Sequence, residues 1–242
     1  MCEDFSKQDQ RIRVINQDNT GRNIARNHGM EASTGDFISF MDQDDFLDPN
    51  YFKDLHKQVE EYNSDIAICD YKFFDQKTPQ NLAVITNEAK TKSTGVYSTD
   101  EWMTRLGDFY QTIEIPVIVP WAKIIRRSCI KDVSFPHDRS LAEDIKTMWK
   151  FYLNAKRISF KTNPDYINQQ HPDPAKKLAA MMYGSLNALE EQIAFLGTRG
   201  FDVTSYFPVY IHYLKMALNF SKQLGDVDIY DQVSFKLNHL EH

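Results

Sequence analysis

The chain has 242 residues, a formal net charge of −6 and 42% hydrophobic residues, the make-up of an ordinary folded protein with one large domain or one domain and an appendage. The acidic balance argues against a general polyanion binder, so nucleic acid is not an expected partner. Three scattered cysteines, Cys2, Cys69 and Cys129, form neither a disulfide framework nor a zinc spacing and point to a reducing compartment such as the cytoplasm; no apolar run approaches the roughly 18 residues of a membrane span.

The charged and polar first residues do not read as a leader peptide. Arg11–Ile15 reads as a short strand, Asn19-Thr20-Gly21 as a turn and Arg22–Ala32 as a helix. The apolar run Phe37 to Met41 predicts a strand buried on both faces, and it ends abruptly in Asp42-Gln43-Asp44-Asp45. Asp48 suits the cap and Pro49 the first turn of a helix carrying Phe52, Leu55, Val59 and Tyr62 at helical spacing. Asp65–Cys69 reads as another buried strand, and strand, helix, strand, helix, strand predicts a parallel α/β sheet. The aromatic strip from Cys69 to Phe74 packs that sheet in this reading, with Asp70 a remote candidate for a cleft.

Residues 72–97 are polar, with β-like pieces around Leu82–Ile85 and a turn at Gly95. Ser98-Thr99-Asp100-Glu101 has the spacing of a capping box and opens a helix through Trp102 and Leu106. Ile115–Val119 reads as a strand, Glu143-Asp144 as the start of a helix through Trp149 and Leu153, and Arg157–Phe160 as a short strand. Pro164, Pro172 and Pro174 mark a loop. From Ala175 the pattern is helical, with breaks near 197–200 and at Gly225. Leu240-Glu241-His242 looks like the start of a vector-encoded histidine tag.

Three carboxylates within four positions after a buried strand carry the chemistry. Open α/β sheets bind ligands at the carboxyl ends of their strands. Alternation places Asp42 and Asp44 on one side if the chain stays extended. Two close anions repel unless a cation sits between them, and a hard divalent ion arriving with a substrate phosphate is the natural one. An acidic turn capping the next helix is the plain alternative. Glu143-Asp144 has the same two readings, since acidic residues also stabilise a helix start through its dipole.

The run Asn19-Thr20-Gly21-Arg22-Asn23-Ile24-Ala25-Arg26-Asn27-His28-Gly29, then Gly35-Asp36-Phe37-Ile38, then the acidic turn resembles the family 2 glycosyltransferases. A second block resembles the same family in the same order: Trp121-Ala122-Lys123, Arg126-Arg127-Ser128, Phe135-Pro136 and Glu143-Asp144. The resemblance implies a GT-A fold over residues 1–172, a mostly parallel nucleotide-binding sheet with flanking helices, followed by a C-terminal helical region over 173–239. It implies inverting transfer of a sugar from a nucleotide-diphosphate donor, foremost a UDP-sugar, to a glycan or lipid-linked acceptor hydroxyl in bacterial cell-surface glycan synthesis, with Mg2+ or Mn2+. Carried over residue by residue, Asp44 is the main metal ligand and Asp42 contacts the donor's ribose or the metal shell; His171, at a departure from the family pattern, is a candidate phosphate contact or metal ligand beside the plain reading of an isolated loop histidine. Arg26 and Asn27 lie at the donor site, Asp144 is the catalytic base, and Asp45 and Glu143 are supporting carboxylates. Trp121 packs in the core or on the acceptor side; Lys123 either orients a phosphate or acceptor or is simply solvated.

Against the family pattern the chain opens at what resembles the end of the second family helix. An opening strand, helix and strand, with much of the nucleoside pocket, is therefore expected to be missing. The same comparison predicts exposed sheet edges, a homodimer or other polypeptide to cover them, and donor binding by this chain alone that is weak or nil. A rival reading makes the domain a catalytically impaired binding or assembly module. Asn168 and Gln169 stand where many relatives carry an arginine or a further tyrosine. A haloacid-dehalogenase-like phosphotransferase also places Asp-x-Asp after an apolar strand, but Asp45-Phe46 does not suit it and the Ala-Arg-Asn block stays unexplained. Amphipathic stretches such as Tyr213-Leu214-Lys215-Met216 leave peripheral attachment to the inner membrane face open, beside plain core packing.

Overall fold

A computed structural model describes residues 2–74, 94–112, 115–138, 141–169 and 175–240. One sheet is built from Phe37–Ile38 (β1), Phe46–Leu47 (β2), Ile66–Phe74 (β3), Gly95–Ser98 (β4), Lys123–Arg126 (β5) and Arg157–Gln169 (β6). Its order is β1-β5-β3-β6-β2, and β4 pairs with the first residues of β6. The helices are Cys2–Gln8 (α1), Arg22–Ala32 (α2), Tyr51–Tyr62 (α3), Thr99–Gln111 (α4), Ile115–Ile118 (α5), Arg127–Ile130 (α6), Glu143–Leu153 (α7), Ala175–Thr198 (α8), Tyr206–Leu224 (α9) and Val227–Leu240 (α10). No described helix is long and apolar enough to cross a membrane.

The mostly parallel sheet is corrected to a mixed one. β3 and β6 pair in parallel, whereas β1–β5, β3–β5, β2–β6 and β4–β6 are antiparallel. β1 and β3 do run the same way, as a strand-helix-strand unit demands, but β5 inserts between them in the opposite direction. Local sequence carries the handedness of a crossover, not the identity of a strand that arrives later to fill the gap.

Other expectations shift for local reasons. Arg11–Ile15 forms no strand; Ile12 and Ile15 are exposed and find no ladder partner among the described residues. Only Phe37 and Ile38 of the 37–41 run join the ladder. The expected strand over Ile115–Val119 is instead the short helix α5, Ile115–Ile118, because Pro116 lacks a ladder donor yet suits a first helical turn, and Pro120 follows shortly after its end. β6 runs straight through Pro164 to Gln169, and its register against β3 shifts around Asp70, opposite the proline, where the missing N–H needs no partner. Asn50, not Asp48, is the N-cap of α3; the Asp48 carboxylate accepts the Asn50 N–H at 2.9 Å. Tyr51 rather than Phe52 supplies that helix's buried face. The pieces around Leu82–Ile85 lie outside the described residues.

The capping box is formed in full: Ser98 Oγ accepts the Glu101 N–H, and the Ser98 N–H donates to the Glu101 carboxylate at 2.8 Å. Along β3 the alternation of side chains divides the core. Ile66 and Ile68 face α4 and α7, in a cluster that continues without a break into α8, α9 and α10. Ala67, Cys69 and Tyr71 face α3, Trp121 and Tyr166 on the other side. The C-terminal helices are fastened to the sheet's helical layer by polar contacts as well. Ser205 Oγ donates to Thr104 O at 2.6 Å, and Gln192, itself bonded by the Tyr110 hydroxyl, donates to Ile145 O at 3.0 Å.

Candidate active site

The chain leaves β1 at Ile38 and is fixed at once. Ser39 Oγ donates to Lys123 O at 2.8 Å and meets the Tyr51 hydroxyl at 3.0 Å, while Phe40 packs edge-on against Phe135. Residues 42–45 then close a turn, with the Asp45 N–H donating to Asp42 O at 3.2 Å. The turn is not extended, but Asp42 and Asp44 still line one cleft, of about 580 Å³, together with Arg22, Ala25, Arg26, Met41 and Gln43. Asp45 points the other way and is buried. It accepts from the Tyr166 hydroxyl at 2.5 Å, from Asn168 Nδ2 at 3.1 Å and from Gln169 N at 2.9 Å. Burial raises its pKa, and those three hydrogen bonds oppose the rise.

Arg26 is the hub of the site. Its Nη2 lies 3.2 Å from Asp42, and its Nη1 lies 2.9 Å from Asp144 and 3.2 Å from Glu143. The guanidinium also sits 5.2 Å from the centre of the Phe135 ring. Arg22, one helical turn earlier, reaches Glu143 with Nε at 2.5 Å. Helix α2 thus presents two cations to the start of α7 and to the acidic turn. Burial works against the Arg26 charge, yet Asp144, Asp42 and Glu143 outweigh it and raise its pKa. At Asp144 burial dominates: it lifts the carboxyl well above the ordinary carboxylate range, Arg26 pulls it back, and neighbouring Glu143 pushes it up again. Glu143 is fully buried, and among the described residues its Oε2 has no hydrogen-bond partner. The residue before it, Ala142, has φ 76°, a left-handed backbone rare outside glycine.

The structure brings together Arg26, Asp42, Asp44, Glu143 and Asp144. It leaves other candidates elsewhere. Asn27 is buried with its amide clamped on the Phe135 backbone, donating to Phe135 O at 3.0 Å and accepting Phe135 N at 2.8 Å. Lys123 is neither solvated nor in the cleft. It is fully buried at the start of β5, the strand between β1 and β3, and its Nζ donates to Val119 O and, at 3.1 Å, to Trp121 O. Burial drops its pKa to about 7. Trp121 is buried and stacked on Tyr166. Asp70 is buried, with one oxygen accepting the Tyr71 N–H. His171 lies outside the described residues. Arg22 and Tyr166 are the participants that sequence reasoning missed; Arg22 was visible four positions before Arg26 on the same helix, whereas nothing local marked Tyr166.

Among the described residues no three His, Cys, Asp or Glu side chains converge as a ready-made metal cage. Asp42 and Asp44 face the cleft, and Asp45 is committed to its interior partners. One or two carboxylates supplemented by substrate phosphates is the way Mg2+ is commonly held. The donor set therefore fits an ion that arrives with a diphosphate rather than one held by protein alone.

Comparison with known proteins places these features in context. The profile of "Glycosyl transferase family 2" matches residues 1–134. The chain is 24% identical over 240 residues to Glycosyltransferase GlyA of Streptococcus pneumoniae, covering 98% of this chain and 34% of that protein. It is 25% identical over 244 residues to Glycosyltransferase GlyG of the same organism, covering 98% and 80%. The chain therefore spans about a third of the length of the first relative. Among solved structures, Staphylococcus aureus TarS 1–349 in complex with UDP superposes with a TM-score of 0.52 at 19% identity, over 93% of this chain and 73% of that one. That likeness is one of fold, and it extends from the sheet into the C-terminal helices.

Proposed function

The chain belongs to glycosyl transferase family 2, and from that premise we propose that its cleft moves a sugar from a nucleotide-diphosphate donor, foremost a UDP-sugar, to an acceptor hydroxyl of a bacterial surface glycan, with inversion at the sugar carbon. The observation that carries the reading is the Arg26 hub, which joins the acidic turn to Asp144 across one cleft. A cleft of about 580 Å³ suits a small-molecule ligand. The TarS structure described with UDP supports the choice of nucleotide.

In this reading Arg22 and Arg26 receive the diphosphate, whose oxygens compete with Asp42 and Asp144 for the guanidinium. Asp144, released from Arg26, takes the proton of the acceptor hydroxyl, and its raised pKa makes it a better base than an ordinary carboxylate. Glu143 stays behind as the buried counter-charge that keeps both arginines aimed at the cleft. Asp44 with Asp42 would hold Mg2+ or Mn2+, which when bound offsets the charge developing on the leaving diphosphate.

The test is calorimetry and product analysis with UDP-glucose, UDP-galactose and UDP-N-acetylglucosamine, with and without Mn2+. Saturable, metal-dependent binding of one of them is expected, however weak. Asp144→Asn is expected to keep that binding and to lose turnover by about 10²–10⁴-fold, the usual contribution of a positioned base. Binding of none, or full turnover by Asp144→Asn, contradicts the proposal.

A further inference from the structure

The acidic turn is held from behind by groups that never reach the cleft. Tyr166, on β6, is fully buried, and its ring lies flat on Trp121 with centroids 4.6 Å apart and planes 8° apart. Trp121 is braced in turn by the edge of Tyr71 at 5.4 Å, and its carbonyl accepts the buried Lys123 ammonium. The tyrosine ring is thus packed between Trp121 and Tyr51. Its hydroxyl is used twice: it donates to Asp45 Oδ2 at 2.5 Å and accepts the Asp42 N–H at 3.3 Å. One atom therefore grips both ends of the four-residue turn that contains Asp44. The other Asp45 oxygen is bonded by Gln169 N and Asn168 Nδ2, so the end of β6 holds the turn at further points.

We propose that Trp121 and Tyr166 are positioning residues that set the direction of the Asp42 and Asp44 carboxylates, acting through Asp45 and the Asp42 backbone. In this arrangement Asp45 is an anchor facing the interior, not a ligand, and Asn168 and Gln169 serve the anchor rather than the diphosphate. A short turn pinned at both ends loses little further freedom when a ligand binds, which is the advantage of a preorganised site. The consequence for donor binding rests on the transferase reading above; the mechanical statement about the turn does not.

Tyr166→Phe keeps the ring stack and removes only the hydroxyl, so two readouts separate the claims. Hydrogen exchange of the peptide spanning residues 41–46 is expected to quicken about tenfold or more, as expected for loss of a hydrogen bond to a charged acceptor, with the melting temperature lowered by only a few degrees and the transition still cooperative. The dissociation constant for UDP with Mn2+ and the KM for the donor are expected to rise by about the same factor, while kcat falls far less. Should Tyr166→Phe fail to fold, Asp45→Asn, of the same shape and without the charged acceptor, is read in the same way. Unchanged exchange across 41–46 overturns the proposal, as does faster exchange with unaltered UDP affinity. If the wild-type chain binds no nucleotide, the transferase reading fails, and the exchange measurement still decides whether Tyr166 holds the turn.

Discussion

Arg26 faces three carboxylates with one guanidinium, but at Asp144 its pull is outweighed by burial. A base must be deprotonated to act. Burial raises the Asp144 pKa above its ordinary value, so turnover is expected to fall as pH is lowered, with an inflection above the usual carboxylate range of about 4. Arg26→Ala removes the charge that opposes the rise, so the inflection of the pH–rate profile should move further up. Because Glu143 is fully buried but keeps Arg22 as a partner, and Asp144 is only partly buried, the same change should lower stability by about 1–3 kcal/mol, measured by urea unfolding, less than for a fully orphaned buried charge. Lys123 supplies a second pH signature. Unfolded lysine keeps its proton to about pH 10.4, whereas folding and burial bring Lys123 to about 7. Between these values the unfolded state holds more protons, so raising the pH favours the folded state. The melting temperature of the wild type should therefore climb between pH 7 and 9 relative to Lys123→Met; parallel curves would show that Lys123 is not the source. At this scale the residue types were legible from spacing alone. Which of the three aspartates within residues 42–45 turns inward was not, because Asp45 answers to Tyr166, Asn168 and Gln169, more than a hundred positions later.

Helices α2, α3, α4 and α7 were readable because each carries its own signals: helical spacing of apolar residues, a capping box, or an acidic start. Strands were less so, since a strand exists only with a partner, and Arg11–Ile15 has none in the described structure while β6 extends past a proline because β3 and β2 flank it. The helix from Ala175 was legible, but its contact with the start of α7 was not. Gly184, in the middle of α8, lies so close to the turn before α7 that a Cβ there would stand 2.4 Å from Leu141 O. That contact seats the left-handed Ala142 and so the first turn of α7. Gly184→Ala must displace backbone, at a cost of about 1–3 kcal/mol. It should also lower kcat by moving Asp144; unaltered kcat together with an unaltered melting temperature would show that α8 does not support the site.

The whole molecule is organised by β3, whose two faces serve two packed layers, one continuing into α8–α10. Removing residues 175–242 would bare the outer faces of α4 and α7, including Tyr110, which meets Gln192 and Tyr206, and Trp149, which meets Phe195. That shortened chain is expected to lose cooperative melting, and a sharp transition near the wild-type temperature would refute the shared core. The membership in glycosyl transferase family 2, the acidic turn and the Glu143-Asp144 helix start were all determined by sequence, because each rests on residue types at short, fixed spacing. Tertiary structure alone decided that the sheet is mixed, that Arg26 binds three carboxylates, that Asn27 and Lys123 serve the interior, and that Tyr166 holds the turn. Those outcomes depend on contacts between segments far apart in the chain, where burial and the need to satisfy every interior polar group choose among partners that local spacing cannot rank.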